Sequence, residues 1–106
     1  MSKEDTIRDR ILVLFSGPGY REYMFNDLLD QIKPRDQELL ASVLAKLTRQ
    51  HLIEKVIRVE STDTHTGIVE FPSVLEVPSE VHDVYNDIWR TVTPDMLWVI
   101  YKKRAA

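Results

Sequence analysis

The residues of this 106-residue chain that could do chemistry are three histidines and one turn rich in acids and hydroxyls. His51, His65 and His82 are widely spaced, whereas a zinc site needs three or four converging ligands. In the segment 62–67, Asp63 stands two residues before His65, and the two could act as an acid–base pair. Asp and Thr are also the residues that turn formation selects. We therefore expect no catalytic residue, no metal site and no cofactor.

Other sequence features also argue against an enzyme or a membrane protein. The only glycine-rich stretch, residues 17–19, lacks the lysine and the preceding strand of a phosphate-binding loop. The chain has no cysteine, which excludes disulfides and thiolate metal ligands. The first apolar run, residues 11–15, is too short for a signal-peptide core or a membrane span. We expect a cytoplasmic protein without membrane contact.

Composition predicts one globular domain covering residues 1–106, with a core at 4–71 and a C-terminal extension at 79–104. Apolar residues make up 43% of the chain and charged residues 29%, as in ordinary soluble domains. The length fits a single hydrophobic core. The net charge of −3 weighs against nucleic acid, because proteins that grip phosphates usually carry a basic face.

Three helices are predicted in the first half of the chain. The first covers residues 4–16 and ends where Gly and Pro follow. Asn26 is the expected N-cap of the second, which ends before Pro34. Asp36 then caps the third, whose apolar residues recur at spacings of three and four. These are Leu39, Leu40, Val43, Leu44 and Leu47.

The second half is predicted to contain a hairpin and a fourth helix. Residues 52–60 and 68–71 have the β-branched content of strands and are joined by the turn at 62–67. A helix is predicted from Ser79 to about Thr91 because apolar residues again recur at helical spacing: Val81, Val84, Tyr85, Ile88 and Trp89. Residues 94–102 fit either a helix or a strand, and that choice stays open.

The end of the third helix carries a recognisable motif, formed by Leu44, Leu47, the triplet 51–53 and the aliphatic segment 56–59. It resembles the winged-helix superfamily of bacterial regulators, in which two leucines three apart precede a glycine and two aliphatic residues. His51 stands at the glycine position, where φ is often positive; His is among the residues that tolerate this. The resemblance spans residues 7–71.

The resemblance implies an α+β winged helix-turn-helix fold with a three-helix core and a β-hairpin wing. The sequence adds to this a C-terminal helix and an apolar C-terminal segment. The third helix would enter the major groove of double-stranded DNA. Asp36 and Glu38 oppose this, and the wing tip lacks Lys and Arg. The candidate DNA-binding residues are Lys33, Arg35, Gln37, Ser42, Lys46, Arg49 and Arg58.

Aromatic and apolar residues in the last quarter predict a self-association surface and a homodimer. Its candidate residues are Trp89, Met96, Leu97, Trp98, Ile100 and Tyr101. Two functional hypotheses follow. A DNA-binding transcription regulator is narrowly favoured, because small free-standing winged-helix proteins most often have that role. The alternative is a protein-interaction module, an adapter or assembly domain, favoured by the acidic balance and the cation-poor wing.

Overall fold

A computed structural model describes residues 2–19, 21–33 and 36–104. Over these residues the helices are α1 (Lys3–Ser16), α2 (Phe25–Ile32) and α3 (Gln37–Arg49), with short 3-10 turns at Val74–Glu76 and Pro94–Met96. The strands are β1 (Glu22–Met24), β2 (Ile53–Glu60), β3 (Gly67–Phe71), β4 (Glu80–Asp83), β5 (Ile88–Thr91) and β6 (Leu97–Lys103). Among the residues described, no helix has the length and apolar character needed to cross a bilayer.

Four strands form an antiparallel sheet in the order β1-β6-β2-β3, while β4 and β5 form a separate antiparallel pair. The β2–β3 hairpin is as predicted, with Ile57 opposite Phe71 and Val59 opposite Val69. An irregularity in the register follows Val59, where the strands approach their turn.

The chain divides into two compact units, and both boundaries fall inside strands, one in β2 and one in β6. Unit 1 contains Met1–Lys55 and Tyr101–Ala106; unit 2 contains Val56–Ile100. Each unit has its own buried cluster. Unit 1 buries one face of every helix, through Ile7, Ile11, Phe15, Leu28, Ile32, Leu40, Val43, Leu44, Leu47 and Ile53. Unit 2 buries Val59, Val81 and Met96.

The first two helices begin at side-chain caps. Ser2 Oγ accepts a hydrogen bond from the Asp5 amide at 3.1 Å and so caps α1. The predicted cap of α2, Asn26, is wrong, because the helix already starts at Phe25 with Met24 as its N-cap. Asp27 explains the earlier start: its carboxylate accepts from the Met24 amide at 3.0 Å. Pro34, the predicted helix-ending residue, lies outside the described residues.

Helix α3 begins and ends as the sequence predicts. Asp36 Oδ1 accepts from the Glu38 amide at 2.9 Å, which confirms it as N-cap. At the other end His51 has φ = 60°, the positive value that the sequence analysis expects at this position. The Leu52 amide donates to Leu47 O at 3.0 Å and the His51 amide to Thr48 O at 3.1 Å, forming a Schellman cap.

The predicted winged-helix fold class with a C-terminal helix is wrong. Where the helix was predicted, at 79–91, the chain forms β4, a turn and β5. The apolar residues at helical spacing are divided between elements: Val81, Ile88 and Trp89 lie on the two strands, and Val84 and Tyr85 lie in the turn. Asp83 accepts hydrogen bonds from backbone amides ahead of it, which competes with helix formation, and Asp87 adopts a left-handed φ of 53°.

The C-terminal segment is a strand. Residues 97–103 form β6, which lies between β1 and β2 in the sheet. Of the two structures left open for residues 94–102, the strand is the one that forms, and it begins after a 3-10 turn at 94–96. Its β-branched and aromatic residues suit this position. The architecture is α+β, with N-terminal helices followed by a four-stranded antiparallel sheet and a two-stranded hairpin.

The left-handed cap of α3 gives a testable prediction. We expect His51→Gly to raise the free energy of unfolding by about 0.5 to 1 kcal/mol, because glycine adopts positive φ without the Cβ clash. Gln50→Gly, one residue earlier in right-handed geometry (φ −80°), should lower it by a similar amount. Urea unfolding of both variants measures the free energy of unfolding. The prediction would be contradicted if the two substitutions changed it by the same amount and in the same direction.

Candidate functional site

Exposed apolar side chains are concentrated in unit 2. Over the described part of the chain, nine of the eleven large apolar side chains that are exposed belong to it. Four surround the turn between β4 and β5: Val84 (66% exposed), Tyr85 (72%), Ile88 (46%) and Trp89 (68%). We call these four side chains the apolar apex. Exposed apolar side chains around one turn are candidates for contact with a partner.

Asp83 holds the turn beneath the apolar apex. It is only 1% exposed, and both carboxylate oxygens have hydrogen-bond donors. Oδ1 accepts from the amides of Tyr85 (3.0 Å) and Asn86 (3.2 Å), and Oδ2 accepts from Asn86 Nδ2 (2.9 Å) and Arg90 Nε (2.8 Å). The side-chain bond from Asn86, joined by those from Arg90 and the amides and opposed by desolvation, lowers the pKa of Asp83 to about 2. The group is therefore ionised at neutral pH.

Arg90 links this turn to the β2–β3 loop. Besides its bond to Asp83, its Nη1 lies 3.5 Å from Asp63 Oδ1. The Asp63 pKa is lowered by hydrogen bonding from its own backbone amide and by the Arg90 charge. The second carboxylate helps keep the Arg90 guanidinium in place.

His82 supports Trp89 from the neighbouring strand. The two residues are directly opposite each other, with ring centroids 5.2 Å apart and planes tilted by 34°. His82 Nε2 also lies 3.1 Å from Asp87 Oδ1. The Trp89 ring thus has one supported face, while most of its surface is exposed.

Unit 2 is strongly acidic. It contains eight Asp and Glu residues but only two arginines, a net charge of −6. Both arginines are paired with carboxylates inside the unit: Arg90 with Asp83, and Arg58 Nη2 with Glu70 Oε2 at 2.7 Å. The apolar apex therefore belongs to an acidic unit.

The candidate DNA-binding residues fall into three groups. Lys46 is ion-paired with Glu4, and Arg58 with Glu70, so both have carboxylate partners instead of free charges. Arg35 lies outside the described residues. The remaining four are exposed on the surface of unit 1: Lys33, Gln37, Ser42 and Arg49.

The candidate self-association residues do not form one exposed surface. Met96 and Ile100 are buried, which removes their side chains from the predicted surface: Met96 packs with Val59 and Val81 in the cluster of unit 2, and Ile100 lies in β6 within the sheet. Leu97 and Tyr101 are partly buried, and burial raises the pKa of Tyr101. Trp89 and Trp98 are exposed.

Sequence reasoning missed three members of the apolar apex and the residues that hold its turn. The sequence analysis places Val84, Tyr85 and Ile88 on one side of a predicted helix. The available signal was the polar spacing of Asp83 and Asn86 with a following Asp, which favours a turn over a helix.

The residues considered for catalysis and metal binding are used in other ways. The Asp63 carboxylate accepts from the Thr64 amide at 3.0 Å and faces Arg90, so it is engaged with partners other than His65. Within residues 2–19, 21–33 and 36–104, His, Asp and Glu side chains form no group of three that could hold a metal ion.

No family model, curated protein or solved structure matches the chain.

The ionised Asp83 predicts a specific pH dependence of stability. Its carboxyl has a lower pKa in the folded protein than the usual 3.8. It therefore stabilises the fold above that value, and this contribution is lost as pH falls towards about 2. We expect Asp83→Asn to have a lower urea midpoint of unfolding than the wild type at neutral pH. The difference between the two midpoints should narrow as the pH falls from 3.8 towards about 2.

Asp30→Asn is the matched control, because Asp30 is exposed on α2. Urea midpoints of this control should follow the wild-type values across the pH range. A wild-type minus Asp83→Asn difference that stays constant with pH would show that Asp83 does not act through its charge.

Proposed function

We propose that this protein is a non-catalytic binding module whose apolar apex docks in an apolar groove with a basic rim on another protein. The supporting observation is the turn held by Asp83, which keeps Tyr85 and Trp89 about two-thirds exposed. Trp and Tyr are the residues that most often dominate interface energies.

Preorganisation supports this proposal. Ordering a flexible loop on binding costs conformational entropy, so a loop already held in one geometry binds more tightly with the same contacts. The Asp83 carboxylate connects the turn amides to Arg90 on β5, and the His82 ring supports Trp89. The apolar apex is thus restrained by contacts within unit 2, before any partner binds.

The charge of unit 2 defines the partner. Bringing two copies together through the same surface would place net charges of −6 against each other, and juxtaposed like charges oppose association. A basic rim around the partner's groove would instead complement the acidic side chains near the apex. For this reason we propose a different protein as the occupant, in place of the homodimer partner predicted from sequence.

DNA binding is a second candidate, favoured by the distribution of cations. Unit 1 carries twelve Lys and Arg residues against nine Asp and Glu, a net charge of +3. Its α3 surface presents Gln37, Ser42 and Arg49. We expect salt-sensitive binding of random-sequence duplex DNA; no detectable affinity at about 50 mM salt would exclude this candidate.

Two valines provide a matched test of the protein-binding proposal. Val84 in the apolar apex and Val13 on α1 have nearly equal exposure, 66% and 70%, so Val→Ser makes the same chemical change in each. The wild type, both variants and Trp89→Ala are immobilised and exposed to cytosol from the source cells. A partner is defined as a protein that wild type and Val13→Ser retain and that both apex variants lose.

The partner is then purified and titrated by calorimetry. We expect Trp89→Ala to raise the Kd at least about tenfold, equivalent to about 1.4 kcal/mol, while Val13→Ser leaves it unchanged. Raising salt from about 50 to about 300 mM should weaken the complex, because complementary charges are screened. Equal affinities for all variants would contradict the proposal. So would concentration-dependent self-association in the ultracentrifuge that Trp89→Ala abolishes, since the occupant would then be a second copy.

A further inference from the structure

Unit 1 contains a cavity of about 340 Å³ between its helices, separate from the apolar apex of unit 2. Three cations line it: Lys3 and Arg10 from α1, and Lys33 at the end of α2. Thr6, Ile7, Asp36 and Leu39 complete the lining.

The cations of this cavity lack the carboxylate partners that other cations of the chain have. Over the described residues, Lys3, Arg10 and Lys33 form no ion pair, whereas Lys46 and Arg90 do. Three cations around one cavity, without carboxylate partners among the described residues, produce a positive potential that favours an anion within it.

Hydrogen bonds fix the guanidinium of Arg10 and the backbone of Lys33. Arg10 Nη1 donates to Ile32 O at 3.0 Å, which holds the guanidinium against the end of α2 and leaves its other N–H groups available. The Lys33 amide donates to Leu29 O at 2.9 Å, with φ of 52° at this cap position. The chain thus places an arginine and a lysine on the same cavity without a carboxylate holding them there.

Asp36 is the acidic residue of the lining, and its carboxylate has another role. Its Oδ1 accepts the Glu38 amide at 2.9 Å as the N-cap of α3. One acid against three cations leaves the lining with two more positive than negative charges. Thr6 adds a hydroxyl, although its Oγ1 also donates to Ser2 O at 3.3 Å.

We propose that this cavity binds a phosphate group. A phosphate dianion matches the excess positive charge, and its oxygens can accept bonds from a fixed guanidinium and two mobile ammonium groups. The phosphate can be a free anion or a phosphodiester of a nucleic-acid backbone, which carries one negative charge and offers two non-bridging oxygens to the same donors. This inference is independent of the protein-binding proposal. Where the phosphate belongs to a nucleic-acid backbone, the inference rests on the DNA-binding candidate.

The test uses the full chain with two probes, inorganic phosphate and a random-sequence duplex DNA. Amide NMR shifts follow the phosphate titration, and fluorescence anisotropy follows the duplex. We expect Lys3→Gln/Lys33→Gln to weaken binding of at least one probe about tenfold or more. If the duplex is the ligand, the slope of log affinity against log salt should also fall by about two.

Arg8→Gln/Lys55→Gln is the matched control, because it removes two exposed cations of the same unit from positions outside the cavity lining. It should retain binding within about twofold of wild type, since long-range charge effects are screened at moderate salt. Circular dichroism checks that both double variants are folded.

The two probes separate the possible failures. If inorganic phosphate binds and Lys3→Gln/Lys33→Gln weakens this binding, while DNA does not bind, the cavity is a phosphate site and nucleic acid is excluded as the source of the phosphate. If both double variants weaken DNA binding equally, the cavity is not the binding site, and the inference fails while DNA binding stays a candidate function. The absence of saturable binding of either probe to the wild type overturns the inference.

Discussion

The burial of the Asp83 carboxylate is the constraint on which the proposed site depends. An ionised carboxylate can be removed from water only where hydrogen-bond donors replace the lost hydration. Two backbone amides, one side-chain amide and one guanidinium do so here. Because the amides belong to Tyr85 and Asn86, meeting this requirement also fixes the turn, and with it the exposed positions of Val84, Tyr85 and Ile88.

The charge balance of the whole chain conceals an opposite balance in its two units. A net charge of −3 results from −6 in unit 2 and +3 in unit 1. In unit 2 both arginines are paired within the unit, so they contribute to folding and offer little to an anionic ligand. In unit 1 the three cations that line the cavity, Lys3, Arg10 and Lys33, form no ion pair with any residue that the structure describes. The two surfaces therefore suit ligands of different charge, and the overall charge alone does not describe either.

The first half of the chain was largely predictable because local signals agreed there. The α3 stripe, its Asp36 cap and the positive φ at His51 each depend on residues close in sequence, and each is confirmed. The error at residues 79–91 had a local cause as well. Helical spacing of apolar residues was weighed above the turn-forming Asp83 and Asn86, whose competing hydrogen bonds decide the structure.

The candidate sites were less predictable because they depend on contacts between distant residues. The pairing of Lys46 with Glu4, 42 residues apart, weakens one predicted DNA contact, and no pattern within α3 indicates it. The strand β6 was ambiguous for the same reason, since its neighbours β1 and β2 are far away in the sequence. Burial of Ile100 follows from the placement of β6 between those two strands, whereas Met96, in the 3-10 turn before β6, is buried by packing with Val59 and Val81.

The geometry of the apolar apex also limits the kind of partner that can use it. Val84 and Tyr85 lie in a turn of four residues, and Ile88 and Trp89 at the start of β5, so a flat partner surface would contact few of the four side chains at once. A groove can enclose Tyr85 and Trp89 together and exclude water around them, which is the condition under which aromatic residues contribute most to affinity. The exposed Asp87 beside them would then lie at the groove's edge, where a basic residue of the partner gives specificity and faster association more than affinity.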